Sequence, residues 1–225
     1  MVEAGSLIRD RRSIRKYLSR PVTPALVAEI LAEARWAPSA GNTQSTHVYI
    51  VTGEALRRVR AGLKAGFESG APPAPDVDMP VAWPEPYKTR MATLFERRSS
   101  FVAAGSPPSG DGGPAAPPWA SLADVFGAPV LLLIAVDREV ASGLGCFDAG
   151  LMAQTIALSA HARGLGSCIM TSIVRHPDSL RAVLPQLAGK ALIAALALGY
   201  PDPDAAVNRF PRERISTSEF VTAVE

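Results

Sequence analysis

The spacing of apolar and polar residues divides the chain into helices and strands. Apolar residues recur at helical spacing over 24–37 and 54–67, which predicts two amphipathic helices. Thr23 and Pro24 mark the start of the first, because threonine caps a helix well and proline fits its first turn. The same pattern predicts further helices over 6–12, 87–104 and 177–185, strands over 46–52, 129–136 and 191–199, and a short strand or loop over 167–172.

A further predicted helix, 147–163, is apolar on nearly all sides, so we expect it to be buried or to lie at a subunit interface. We interpret its one acidic residue, Asp148, as a helix-start residue rather than a catalytic acid. The polar C-terminal tail ends in an apolar pair, Phe220 and Val221. We predict that this tail is an arm that docks on another surface.

Two segments rich in proline and glycine, 70–86 and 105–118, flank the helix 87–104. They indicate either a mobile insertion or lid at about 70–120 within a single domain 1–225, or a disordered excursion at the surface. Four aromatic residues in this part could form a wall for a flat substrate or could be core or surface residues. They are Trp83, Tyr87, Phe95 and Trp119, and of these we expect Phe95 in the core.

Composition and charge exclude several classes of protein. The 225 residues are 48% hydrophobic and 20% charged, with a net charge of +2, which is typical of a soluble globular protein and not of a strongly basic nucleic-acid binder. The two cysteines form no CxxC pair, and the three histidines have no metal-ligand spacing. No apolar run is long enough to cross a bilayer and no signal segment is visible, so we expect a cytoplasmic protein without nucleic-acid or membrane partners.

Two basic clusters are the first candidates for chemistry. The segment RDRRSIRK contains Arg11, Arg12, Ser13 and Arg15, and the second cluster holds Arg212 and Arg214. Guanidinium groups bind phosphate oxygens in pairs, so the two clusters would form a site for a dianionic phosphate if they converge in space. Each could equally be a solvated surface.

A turn-rich loop gives the second candidate. Small polar side chains at Ser39, Asn42 and Gln44 follow Pro38, and with Gly41 they would let backbone amides approach a planar polar ligand. An ordinary turn between helix and strand explains the same residues. The sequence contains no GxSxG motif, no P-loop and no complete dinucleotide fingerprint.

Taken in order, five segments resemble the FMN-dependent nitroreductase family. They are RRSIRKY (11–17), PVTPALVAEILAEARWAPSAGNTQ (21–44), FGAPVLLLIAVD (126–137), DAGLMAQTIALSAHARGLGS (148–167) and GYPD…NRFPRERIS (199–216). The resemblance covers most of the chain except about 70–120. It implies an α/β (α+β) fold, a three-layer α-β-α sandwich around a mixed, mostly antiparallel sheet. It also implies an intertwined homodimer whose C-terminal arm adds to the partner subunit.

The resemblance implies FMN at the dimer interface and assigns residues to it. Those expected at the phosphate and ribityl chain from one subunit are Arg11, Arg12, Ser13, Arg15, Arg212 and Arg214. Those expected at the flavin ring from the other subunit are Pro38, Ser39, Asn42 and Gln44. The backbone around Thr171 and Ser172 is expected near flavin N5 and O4.

The reaction implied has two steps: NAD(P)H passes a hydride to the flavin, and a flat aromatic acceptor such as a nitroaromatic or a quinone then takes its place. No catalytic protein side chain and no metal is required, because the flavin carries the chemistry. Two alternatives stay open. One is a flavin-dependent dehydrogenase or dehalogenase that acts on a specialised metabolite, and the other is a non-enzymatic module that binds an anionic ligand or nucleic acid.

Overall fold

The computed structural model describes residues 3–80, 82–105 and 119–225. The helices of this part are α1 (Ala4–Asp10), α2 (Pro24–Ala34), α3 (Gly53–Glu68), α4 (Tyr87–Gly105), α5 (Ala120–Ala123), α6 (Gly143–Ala162), α7 (Pro177–Arg181) and α8 (Ala206–Arg209). The strands are β1 (Thr46–Val51), β2 (Val130–Asp137), β3 (Gly166–Met170) and β4 (Lys190–Gly199). Each of the predicted helices and strands is present, with shifts of a few residues at the ends.

The four strands form one sheet in the order β1-β2-β4-β3, and each neighbouring pair is antiparallel. The two central strands, β2 and β4, are the two long apolar runs of the sequence. A parallel bridge joins Ser13 of the N-terminal segment to Ser167 of β3. The sheet is therefore mostly antiparallel with one parallel contact at its edge, as the resemblance implies.

The alternating side chains of β2 divide the interior into two cores. Leu131 and Leu133 face a core covered by α3, α5 and α7, while Leu132 and Ile134 face a core covered by α2 and α6. Both faces of the sheet are thus covered by helices, because a strand that is apolar on both faces must be buried on both. The expected three-layer α-β-α sandwich is confirmed.

The position of Asp148 differs from the sequence interpretation. Helix α6 begins at Gly143, so Asp148 lies in its second turn and is not a helix-start residue. Its side chain is almost fully buried and its two carboxylate oxygens accept the backbone N–H of Ala40, at 3.1 and 3.2 Å. The interpretation was wrong because residues 143–146, which include two glycines, continue the helix towards the N-terminus.

The first proline-rich segment is attached to the body of the protein along part of its length. The Ala74 N–H donates to the carbonyl of Arg175, and the buried carboxylate of Asp76 accepts the N–H of Leu192 at 2.9 Å. Asp76 also forms ion pairs with Arg138 and Arg181. This part of the segment is therefore held against the end of β4. Most of the second segment, 106–118, lies outside the described residues.

Across the three described ranges, no helix combines the length and the apolar character that crossing a membrane requires.

Candidate functional site

The N-terminal segment 11–18 and the C-terminal segment that begins at α8 lie side by side. Buried Asn208 joins them: its Oδ1 accepts the N–H of Arg15 at 2.8 Å, and its Nδ2 donates to the carbonyl of Lys16 at 2.7 Å. The side chain also donates to the carbonyl of Asp202 at 2.9 Å. One amide side chain therefore fixes residues almost two hundred positions apart in the sequence.

Two arginines reinforce this junction from opposite sides. Arg12 donates to the carbonyl of Phe210, and Arg212 donates to the carbonyls of Arg9 and Arg11. Each guanidinium thus holds the backbone of the other segment. The two basic clusters of the sequence converge, and part of their charge is used to join them.

The junction borders a cavity of about 620 Å³. The predicted phosphate-site residues all line it, namely Arg11, Arg12, Ser13, Arg15, Arg212 and Arg214. Helix α4 forms another wall and adds three more arginines, Arg90, Arg97 and Arg98. Sequence reasoning missed these three, because it placed α4 in an insertion and its basic residues carry no motif.

The cavity is strongly cationic. Its described lining includes eight arginines but only two carboxylates, Glu213 and Glu219. Glu213 pairs with Arg97, and Glu219 lies 3.8 Å from Arg90. Within the described parts of the chain, the other six arginines of the cavity have no carboxylate within 4 Å.

The pKa values of the cavity arginines reflect this excess of positive charge. Burial lowers the pKa of Arg11, and the nearby charge of Arg214 lowers it further. Burial and then Arg12 and Arg214 lower the pKa of Arg212 in the same way. Cations that are desolvated and repel each other are stabilised by a bound anion.

A phosphate group fits the donors that line this cavity. The Nε–H of Arg11 is buried and has no hydrogen-bond partner among the described residues, so a donor is left for a ligand. Arg15 donates to the carbonyl of Ser13 at 3.2 Å and keeps its other donors. Several guanidinium groups that surround one cavity form the arrangement that binds phosphate oxygens in pairs.

The loop 38–44 has an unusual backbone that Asp148 helps to hold. Gly41, Asn42 and Gln44 all have positive φ angles, of 56°, 57° and 51°. Such angles are uncommon for residues with a side chain and often mark functional loops. The Ser39 Oγ accepts the N–H of Gln44 at 2.9 Å, and Asp148 accepts that of Ala40. The loop is therefore a fixed structure and not a simple connection between α2 and β1.

The loop does not line the arginine cavity of its own chain. Pro38, Ser39, Asn42 and Gln44 are outside the described lining of that cavity. Thr171 and Ser172, which follow β3, are outside it as well. The chain thus brings together six of the twelve predicted site residues and leaves the other six elsewhere.

The four aromatic residues of the insertion do not form one wall. Trp119 stacks on Phe67 at 5.8 Å beside the first core, whereas Trp83 and Tyr87 pack edge to face at 6.4 Å. Phe95 is about half exposed, so its expected place in the core was wrong. The reason is that none of the side chains of α4 is buried by the rest of the chain.

Comparisons with known proteins found similar sequences over most of the chain. Residues 8–200 match the model of the nitroreductase family. The chain is 34% identical over 223 residues to the chloronitrobenzene nitroreductase of Comamonas testosteroni, and the aligned region covers 97% of this chain and 95% of the relative. It is 32% identical over 229 residues to the nitrobenzene nitroreductase of Ectopseudomonas oleovorans, and the aligned region covers 97% of this chain and 95% of that relative.

Solved structures extend the agreement to the fold. The FMN and NADPH-dependent nitroreductase NfnB from Sphigopyxis sp. strain HMH superimposes with a TM-score of 0.89 at 29% identity and full coverage of both chains. The FMN-dependent nitroreductase NfnB from Mycobacterium smegmatis, solved in complex with NADPH, gives 0.85 at 25% identity, with 99% of this chain and 98% of that chain covered. On these matches of sequence and fold, this chain belongs to the nitroreductase family.

Proposed function

We propose that the protein is an FMN-dependent oxidoreductase that uses NAD(P)H to reduce nitroaromatic, quinone or similar flat acceptors. The observation that carries this proposal is the cationic cavity, in which arginines from both ends of the chain meet around a space with few counter-charges. The names of the similar proteins support the same cofactor and substrate class.

In this proposal the arginines of the cavity divide into two roles. Arg11, Ser13, Arg15 and Arg214 bind the FMN phosphate and the adjoining ribityl chain. Arg12 and Arg212, whose guanidinium groups hold backbone carbonyls, position the two segments and supply further positive charge. A dianion in this cavity gains charge-assisted hydrogen bonds and relieves the repulsion between the arginines.

FMN, when bound, supplies the hydride chemistry, so no protein nucleophile or general base is proposed. The chain itself orients the ring. Pro38, Ser39, Asn42 and Gln44 contact the ring from the partner subunit, and the fixed backbone of this loop presents its polar groups in one geometry. The backbone amides around Thr171 and Ser172 lie at the ring's polar edge.

The proposal includes a homodimer, since the loop 38–44 and the arginine cavity lie apart in one chain. Exposed apolar residues supply contact surface for a second subunit: Leu144 and Phe147 on α6, and Phe220 and Val221 on the tail. Oligomeric interfaces bury residues of this kind. We also propose that residues 1–225 form a single cytoplasmic domain with an insertion or lid at about 70–120.

The first test is the absorbance spectrum of the purified protein. We expect flavin bands, and acid-released cofactor that co-elutes with FMN rather than FAD or riboflavin. NAD(P)H oxidation is then followed with nitrobenzene, with a quinone and with oxygen alone, and we expect faster oxidation with the first two. A colourless protein that takes up no FMN on reconstitution contradicts the proposal.

The second test removes one arginine at a time. Arg15→Ala and Arg214→Ala should each weaken FMN binding by about 1.5–3 kcal/mol, because the phosphate loses a charge-assisted partner. Arg58→Ala is the matched control, since Arg58 is exposed on α3 and lies outside the cavity. Fluorescence titration of the apoprotein measures the affinity. If Arg15→Ala and Arg214→Ala both bind FMN as the control does, the phosphate lies elsewhere.

A further inference from the structure

Arg98 differs from its neighbours on α4. Three side chains of α4 are partly buried, those of Arg98, Phe101 and Val102, and Arg98 is the only charged one among them; the others are exposed. Arg98 lines the arginine cavity. Its guanidinium carbon lies 5.2 Å from the ring centre of Phe95 on the same helix, but no carboxylate of the described residues lies within 4 Å of the group. A partly buried cation of this kind gains from a bound anion, because desolvation disfavours its charged form.

The strongest neighbouring charge that acts on Arg98 is that of another cavity arginine. Burial lowers the pKa of Arg98, and the charge of Arg15 lowers it further. Buried Cys168 of β3 reports the same arrangement: burial raises the pKa of its thiol, and the charges of Arg15, Arg98 and Arg11 oppose that shift. Arg11, Arg15 and Arg98 all line the cavity, and Arg98 does so from a different element, α4.

Among the described residues, α4 contacts the C-terminal segment. Phe101 packs edge to face on Phe210 at 5.6 Å, and Arg97 pairs with Glu213. No side chain of α4 is fully buried. Exposed ion pairs contribute little, and helices in proteins are held chiefly by an apolar face that packs on the core. With the cavity empty of anions, repulsion between Arg98 and Arg15 also opposes the docking of α4.

We propose that Arg98 binds the same phosphate group as Arg11, Arg15 and Arg214, so that binding of the cofactor and docking of α4 are coupled. This inference rests on the proposed function and adds to it a fourth arginine and a regulated helix. A phosphate bound between Arg98 and Arg15 attracts both guanidinium groups and offsets their mutual repulsion. Coupling of this kind is reciprocal: the anion stabilises the docked helix, and the docked helix raises the affinity for the anion.

The decisive experiment compares FMN with riboflavin, which has the same ring and ribityl chain but no phosphate. Dissociation constants are measured by fluorescence titration of the apoprotein for wild type, Arg98→Ala, Arg98→Lys and the surface control Arg58→Ala. We expect Arg98→Ala to weaken FMN binding by roughly tenfold to a hundredfold and riboflavin binding by less than about twofold. Arg98→Lys should be intermediate for FMN, since it keeps the charge and loses the paired donors.

This comparison separates direct contact from a structural role. If Arg98 only shaped the cavity, its replacement would weaken FMN and riboflavin to the same extent, and that result overturns the proposal. Equal FMN affinity in wild type and Arg98→Ala overturns it too.

Hydrogen exchange tests the coupling itself. Amide exchange of α4 is measured in the wild type without ligand, with FMN, with riboflavin and with inorganic phosphate, and again in Arg98→Ala. We expect FMN and inorganic phosphate to slow exchange in wild-type α4, and we expect phosphate to have no effect in Arg98→Ala. Unchanged exchange with phosphate in the wild type contradicts the coupling. Failure of both flavins to bind the wild type contradicts the proposed function instead, while the phosphate arm still decides the role of Arg98.

Discussion

Helices α3 and α4 are similar in length, with 16 and 19 residues, but they differ in how far the rest of the protein buries their side chains. Helix α3 buries Leu56, Val59 and Leu63 against the sheet, whereas α4 buries no side chain. The apolar residues of α4, such as Leu94 and Phe95, are about half exposed. Amphipathic spacing therefore does not by itself make a helix part of the core, since the core must also offer a face to cover.

The difference implies an uneven distribution of stability. A helix whose apolar side chains are buried opens only when much of the domain unfolds, whereas a helix held by surface contacts opens locally at a lower free energy. Helix α4 is also the helix that adds Arg90, Arg97 and Arg98 to the cavity. The arginine cavity is thus bordered on one side by the joined terminal segments and on the other by a helix that buries no side chain fully.

The comparison predicts its largest effect at Leu63. Leu63→Ala should lower the free energy of unfolding by about 2–5 kcal/mol, because it leaves a cavity in a packed core. Leu94→Ala is the matched change on α4 and should cost less than about 1 kcal/mol, because partly exposed side chains lose little burial. Urea unfolding measures both. Similar losses for the two variants would show that α4 is as much part of the core as α3.

The second effect concerns the aromatic contact of α4. Phe101→Ala removes the edge-to-face pair with Phe210, and such pairs contribute about 0.5–1.5 kcal/mol. We expect faster amide exchange in α4 and an unchanged exchange rate in α3. The matched control on α3 is Phe67→Ala, which removes the stack on Trp119 and should speed exchange there instead. Faster exchange throughout the protein in Phe101→Ala would contradict local opening.

Much of the fold could be predicted from the sequence, and the reason is visible in the two cores. Strands β2 and β4 are apolar runs because both of their faces are covered, and α3 shows its stripe because one face is buried. Burial leaves a pattern of apolar residues in neighbouring positions, so a short stretch of sequence is enough to predict it. The exposed position of Phe95 was not predicted, because periodicity indicates an apolar face without indicating what covers it.

The candidate site was predicted less fully, for a related reason. The convergence of Arg15 with Arg214 depends on contacts such as those of Asn208, which join distant segments and leave no local pattern. It was foreseen through resemblance to a family and not through spacing. Arg98 has no motif at all, and Asp148 looked like a helix-start residue until the true beginning of α6 at Gly143 was known.

The smallest effect should come from two exposed ion pairs, and acid distinguishes them. Hydrogen bonds from Arg163, which follows α6, and from Ser159 lower the pKa of Glu33 of α2 from its ordinary value of 4.5 to about 2, and Arg97 of α4 lowers the pKa of Glu213. A carboxyl group whose pKa is lowered on folding contributes stability that is fully present above its unfolded pKa and is lost as the pH falls through its folded pKa. The difference in melting temperature between wild type and Glu33→Gln should therefore be full at pH 6 and shrink between pH 4.5 and about 2.

Glu213→Gln should leave the melting temperature nearly unchanged at pH 6 and speed amide exchange in α4, because its partner helix lies outside both cores. If Glu213→Gln instead lowered the melting temperature as much as Glu33→Gln does, α4 would unfold together with the core helices α2 and α6, and the contrast between packed helices and α4 would be wrong.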